Sequence, residues 1–206
     1  MDQIPKIFVI NLPSRTDRLI SITAEVDRMG LLDKMELVEG VVMHAHGTGT
    51  AGIAEAHARC FELAKERGYE MIMILQDDCK FTVDAETFNV EIETFLNTAP
   101  SDWNGLWFGS FVNNKHTKAE YNWVYGAGYN QDTAILIHSR FYDELISICR
   151  LCRDKYIETG EDKYNIDAMI SDTIPIYFTK KTLCGQADNY SDRVFQVMCG
   201  GIWKGL

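Results

Sequence analysis

Short continuous apolar runs alternate along this chain with stretches in which apolar residues recur every three or four positions. Residues 6–12 (KIFVINL), 71–75 (MIMIL), 106–111 (LWFGSF), 133–138 (TAILIH) and 174–178 (IPIYF) are strand-length and largely apolar. Such runs read as strands buried on both faces, as in a parallel α/β sheet. Residues 35–42 (MELVEGVV) are a further strand candidate. Helical spacing links Leu19, Ile22, Val26 and Met29, with Gly30 closing the helix, and then Ile53, His57, Cys60, Phe61 and Ala64, with Gly68 at the end. Asp84 caps a helix with Phe88, Ile92 and Phe95 on its apolar face, ended by Pro100. Phe141, Leu145, Ile148 and Cys152 mark another helix, and residues 166–171 a short one. The expected fold is α/β, with a mostly parallel central sheet flanked by helices in a doubly wound nucleotide-binding layout.

The MIMIL run leads straight into Gln76, Asp77 and Asp78. This puts two adjacent carboxylates at the C-terminal end of a buried strand, the edge where open α/β sheets bind ligands. Two carboxylates so close repel each other unless a cation or donors lie between them. A hard divalent ion completed by phosphate oxygens meets that need. An N-cap pair is the bland alternative, but Asp84 is the better cap.

The first strand ends in Asn11-Leu12-Pro13-Ser14-Arg15-Thr16-Asp17-Arg18. Ser14 and Asp17 have the spacing of a capping box. Arg15 and Arg18 suit phosphate through their fork of donors, or are solvated charge. His44 and His46 lie in a glycine-rich stretch that lacks the phosphate-loop and dinucleotide fingerprints. His57 falls on the inward face of its helix, where a histidine is most often a satisfied core residue. Residues 113–122 read as a polar surface loop over a site, and Tyr125-Gly126-Ala127-Gly128-Tyr129 as a turn or as rings for sugar faces. Residues 186–193 form a carboxylate-rich tail.

Composition narrows the partners. Among 206 residues the formal net charge is −10 with no Lys/Arg cluster, which argues against nucleic acid. The polar opening and the shortness of every apolar run predict no signal peptide and no integral membrane segment. Six scattered cysteines fit a reducing, cytoplasmic setting, with Cys149 and Cys152 as two buried thiols on one helix. Residues 1–206 read as one domain, which a longer natural chain could continue.

Several of these pieces resemble glycosyltransferase family 25, the lipopolysaccharide- and collagen-type galactosyltransferases with a GT-A-like fold. The family's opening strand, Asn-Leu and spaced arginines match residues 10–18. Its Gly-Cys-x-Leu-Ser-His helix is matched by Gly52-Ile53-Ala54-Glu55-Ala56-His57, which keeps the glycine and the histidine. Its strand ending Glu-Asp-Asp is matched by Gln76-Asp77-Asp78. A later Gly…Ala-Tyr strand compares with residues 128–135, with Ile135 for the tyrosine, and late acids with Asp167 and Ser191-Asp192. The departures at Gln76, Ala56 and Ile135 bear on the donor sugar more than on the fold. The short, leaderless chain also looks like virus-encoded sugar transferases that act in the host cytoplasm.

The resemblance implies a metal-dependent transfer from a nucleotide-diphosphate sugar, UDP- or GDP-type, to a glycan or glycoprotein. It implies Mn²⁺ or Mg²⁺ on Asp78, with Asp77 through water or on the ribose, and Asp188 as third ligand. Asn11, Leu12, Arg15, Arg18 and His57 would hold the nucleotide, and Gln131 and Asp132 the sugar hydroxyls. Asp192, then Asp172 and Asp167, are candidates for the base in an inverting transfer. A nucleotidyltransferase and a non-catalytic sugar-binding module are the competing readings.

Overall fold

The computed structural model describes residues 3–108, 110–111, 121–126, 129–130, 133–173, 176–187, 189–191 and 196–198. Strand β1 (Ile7–Asn11) is followed by α1 (Thr16–Arg28), β2 (Met35–Glu39), α2 (Thr50–Glu66), β3 (Met71–Gln76), β4 (Cys79–Phe81) and α3 (Ala85–Thr98). The second half runs β5 (Gly105–Trp107), β6 (Ser110–Phe111), β7 (Trp123–Gly126), β8 (Tyr129–Asn130), β9 (Ala134–His138), α4 (Tyr142–Thr159) and α5 (Ile166–Thr173). Strands β10 (Ile176–Thr179), β11 (Cys184–Gln186), β12 (Asn189–Ser191) and β13 (Gln196–Met198) complete it.

Seven strands form the central sheet, in the order β2-β1-β3-β9-β5-β10-β7. Five of them share one direction, while β9 and β7 run against it. The α/β class with a mostly parallel, helix-flanked sheet therefore stands. β3 shows why its apolar run is unbroken. Ile72 and Ile74 face a core built with Phe61 of α2 and Leu145 of α4. Met73 and Leu75 face a second core built with Val26 of α1 and Phe88 and Phe95 of α3. Both faces are dry, so no polar alternation is tolerated.

Local signals hold unevenly. The Thr87 amide donates to Asp84 Oδ1 at 2.8 Å, the expected cap of α3. Gly30 and Gly68 both adopt φ of +68° just beyond α1 and α2, a conformation that favours glycine. The Ser14–Asp17 capping box does not form. Arg15 is the N-cap residue of α1, without a side-chain cap bond. Its guanidinium takes the Asp17 carboxylate instead, at 2.9 and 2.7 Å, and this hydrogen-bonded pair lowers the Asp17 pKa to about 2. The LWFGSF run splits, β5 staying in the main sheet and β6 pairing with β8. β2 ends at Glu39, short of Val42.

Gly52 sits in the first turn of α2 against the preceding loop. A Cβ there would come 2.1 Å from the Val41 carbonyl oxygen, a backbone atom that cannot swing aside. Gly52→Ala is therefore expected to cost about 1–3 kcal/mol of stability, the usual range for overpacking. Urea unfolding measures it.

Candidate functional site

The C-terminal edge of the sheet carries the buried polar side chains that the strand interiors lack. Asn11 ends β1, Asp77 follows β3, Thr133 precedes the reversed β9, and Thr179 ends β10. Because β9 is antiparallel, its start lies at the same edge as the ends of its neighbours. The Gln76 amide donates to the Thr133 carbonyl at 2.9 Å, closing the β3–β9 ladder beside the carboxylates.

Asp77 is the centre of this edge. Asn11 Nδ2 donates to Asp77 Oδ2 at 2.8 Å and to the Arg15 carbonyl at 3.1 Å. Arg18, from the first turn of α1, donates through Nη1 to Asp77 Oδ1 at 2.8 Å. The same nitrogen stands 3.7 Å from Asp78 Oδ2. The Arg18, Asp77 and Asp78 side chains are 11%, 9% and 12% exposed, so these charges act through much less water than a surface pair does. One guanidinium thus spans two carboxylates.

Asp78 is held from its other side by residues more than a hundred positions away. After the turn at Asp77–Asp78 the chain leaves the main sheet as β4 and pairs antiparallel with β11. That register brings the Ala187 amide to the Asp78 carbonyl at 2.8 Å. It also brings Gln186 Nε2 to 3.5 Å from Asp78 Oδ2, a long contact. On the ribbon's other flank Arg28 donates to the Phe81 carbonyl at 3.0 Å, and the Phe81 amide donates to Glu25 Oε2 at 3.2 Å, tying β4 to α1. A hydrogen bond from Cys184 and burial raise the Cys79 thiol, which serves as a neutral packing group in the ribbon.

The structure therefore brings together Asn11, Arg18, Asp77 and Asp78. The Leu12 carbonyl accepts from the Arg15 amide at 2.8 Å, shaping the loop between them. The Arg15 guanidinium binds Asp17. His57 is buried in α2, its Nδ1 2.9 Å from the Ile53 carbonyl. Asp167 is buried at the start of α5, near Cys152 of α4, whose thiol burial pushes up to about 12 with help from the Asp167 charge. Gln131, Asp132, Asp188 and Asp192 lie outside the described residues, as does the side chain of Asp172. The glycine-rich stretch after β2 is a tight turn, Ala45 and Thr48 exchanging backbone bonds, with His46 Nε2 3.0 Å from the Ile157 carbonyl of α4.

Gln186 and Thr133 carry no motif and were not singled out by sequence. Only strand pairing shows that Gln186 reaches Asp78 and that Thr133 flanks Asp77. The Thr133 Oγ1 is buried without a hydrogen-bond partner among the described residues.

The fold is similar to that of a mannose-1-phosphate geranyltransferase from Thermus thermophilus, at 10% identity, over 91% of this chain and 77% of that chain, with a TM-score of 0.54. Similar structures also include a glycosyltransferase involved in the glycosylation of the major capsid of PBCV-1 (11% identity, 78% and 75% covered, TM-score 0.47) and A197 from STIV (10% identity, 88% and 84% covered, TM-score 0.47). No protein-family model and no curated protein matches the chain. The sheet order, the reversed β9 and the first of these similarities define an α/β chain with a GT-A-like nucleotide-diphospho-sugar transferase fold.

Two substitutions test this geometry. Asp77→Ala takes from a largely buried guanidinium and from the Asn11 amide the acceptor they share at 2.8 Å, so it should cost about 3–5 kcal/mol. Thr133→Val removes a hydroxyl whose unpaired burial costs about 1–3 kcal/mol, so it should hold or raise stability. Denaturant unfolding of both variants reads the contrast.

Proposed function

We propose that this chain is a metal-dependent hexosyl-type glycosyltransferase, moving a sugar from a UDP- or GDP-type nucleotide-diphosphate sugar to a hydroxyl of a glycan or glycoprotein. The observation that carries this reading is the shielded Asp77–Asp78 pair, bridged by Arg18 at the carboxyl edge of a GT-A-like sheet. Residues 1–206 act as one transferase domain. The affinity with family 25 rests on the 10–18 segment, Gly52 and His57, and Gln76-Asp77-Asp78. A cytoplasmic setting is supported by five buried cysteines outside any disulfide among the described residues. No helix among those residues is long and apolar enough to cross a membrane.

The donor set suits a hard divalent ion, Mn²⁺ or Mg²⁺. Both carboxylates are oxygen donors at one shielded edge of the sheet. Among the described residues no group of three His, Cys, Asp or Glu converges, so a third ligand comes from elsewhere. We assign it to Asp188, next in sequence to Ala187. Asp78 is the direct ligand. Asp77, with both oxygens already engaged by Asn11 and Arg18, acts through water or on the ribose. When bound, such an ion stabilises the charge that gathers on a departing diphosphate.

The remaining roles fall to this chain's own side chains. Asn11, Leu12, Arg15, Arg18 and His57 hold base, ribose and phosphates. Gln131 and Asp132 hold the sugar hydroxyls. Asp192 takes the acceptor proton in an inverting transfer, with Asp172 next. Asp167 ranks last of the three because it is buried beside Cys152.

The test is thermal unfolding with a panel of nucleoside diphosphates and sugar nucleotides, each with and without Mn²⁺. One nucleotide class should raise the unfolding temperature only with metal, the shift at a hundredfold excess over Kd corresponding to about 2.7 kcal/mol. Asp78→Asn should abolish that metal-dependent shift. Release of nucleoside diphosphate on incubation supports sugar transfer. Pyrophosphate would mean nucleotidyl transfer, against which stands the loop after β1, which holds no glycine. Saccharide binding that needs neither metal nor nucleotide would indicate a binding module.

A further inference from the structure

The bridge made by Arg18 has a consequence for how ligands enter the site, resting on the nucleotide-sugar reading above. Its Nη1 is 2.8 Å from Asp77 and 3.7 Å from Asp78, so a fixed positive charge already stands where a cation between the two carboxylates would stand. The guanidinium is anchored there, because Asp77 is in turn gripped by Asn11 at 2.8 Å. It sits in the first helical turn, at the positive end of the α1 dipole, where a cation gains least from its own helix. The described ion pairs of its guanidinium are those with the two carboxylates.

We infer that Arg18 acts as a resident counter-ion that makes metal binding conditional on the nucleotide. A divalent ion on Asp78 alone would stand beside the guanidinium with little water between them, and two like charges in that setting repel strongly. A nucleoside diphosphate changes the balance. Its phosphate oxygens bind the ion and give the guanidinium a second, bidentate anionic partner, so Arg18 can turn from Asp78 toward phosphate while keeping Asp77. Metal and diphosphate then favour each other through one side chain, and the coupling is reciprocal by linkage. Arg18 is here a positioning residue. It links two ligands and takes no proton or bond.

The experiment is calorimetric titration of Mn²⁺ into the full chain, with and without saturating uridine or guanosine diphosphate. In the native protein the diphosphate should tighten Mn²⁺ binding about tenfold or more. Arg18→Met should bind Mn²⁺ alone about tenfold more tightly than the native chain and lose most of the diphosphate effect. Arg18→Lys, which keeps the charge but not the fork, should bind Mn²⁺ alone no better than the native chain yet lose part of the diphosphate effect, and it serves if the methionine variant unfolds. Equal Mn²⁺ affinity with and without a bound diphosphate would overturn the inference. So would an Arg18→Met chain that folds but binds Mn²⁺ no better, since Arg18 would then be only an anchor for α1. If neither diphosphate binds the native chain at any Mn²⁺ concentration, the nucleotide-sugar reading itself falls, and the coupling with it.

Discussion

The carboxylate of Asp77 joins three pieces of chain that no hairpin connects. β1 and β3 are parallel neighbours separated by two helices and an edge strand, so nothing local sets how their ends align. Asn11 from the end of β1 and Arg18 from α1 meet the two oxygens of Asp77 beyond the end of β3. A carboxylate this shielded costs several kcal/mol if left alone, and removing either charged partner leaves the other exposed to that cost. The same contact that stabilises the edge also orients its chemistry. Asn11 is further fixed through its carbonyl, which accepts from the Gly40 amide at 2.7 Å, so the loop after β2 depends on this corner too.

Asp78 depends on a different constraint. Its side chain leaves the turn after β3 under the control of the β4–β11 ribbon, whose two strands lie about a hundred residues apart in sequence. Glu25 and Arg28 of α1 hold the near strand, and the Ala187 amide fixes the peptide of Asp78 itself. The two acids are adjacent in sequence but serve under separate frameworks: one belongs to the sheet, the other to the ribbon. That division gives both oxygens of Asp77 short bonds, while the contacts of Asp78 to Arg18 and Gln186 are longer and more readily displaced by a ligand.

What the sequence made legible follows the range of the interaction. The apolar runs of β1 and β3 report burial on both faces, and the spacing in α1, α3 and α4 reports one buried stripe each, whereas α2 is buried around more of its circumference than its stripe suggests. The Asp84 cap was legible because it spans three residues. The proposed Ser14 cap failed for an equally local reason, since Arg15 competes for Asp17 and wins with two charge-assisted bonds. The reversal of β9 was not legible. A run such as Ala134–His138, dry on both faces, looks the same in either direction, and only its partners decide. At the site, the arginines and carboxylates were visible as residue types near a strand end. Their pairing was not, nor were Thr133 and Gln186, because those rest on strand order across the whole chain.

Electrostatics ties these scales together. A chain with a formal net charge of −10 repels an anionic ligand at long range, yet ionic strength near the physiological value screens charges beyond about 8 Å. Capture of a diphosphate, as proposed, would therefore rest on a few short-range charges rather than on the overall field. Arg15 and Arg18 are the cations of the first strand–helix junction, and both are already paired, one with an exposed acid and one with the shielded acids of the site. Any anion that binds here has to compete with those carboxylates for the guanidinium groups. On the proposed reading, a dication would ease that competition by giving Asp78 the charge that Arg18 supplied. On that reading an acidic protein would bind an acidic ligand without carrying a basic surface, at the cost of requiring metal and ligand together.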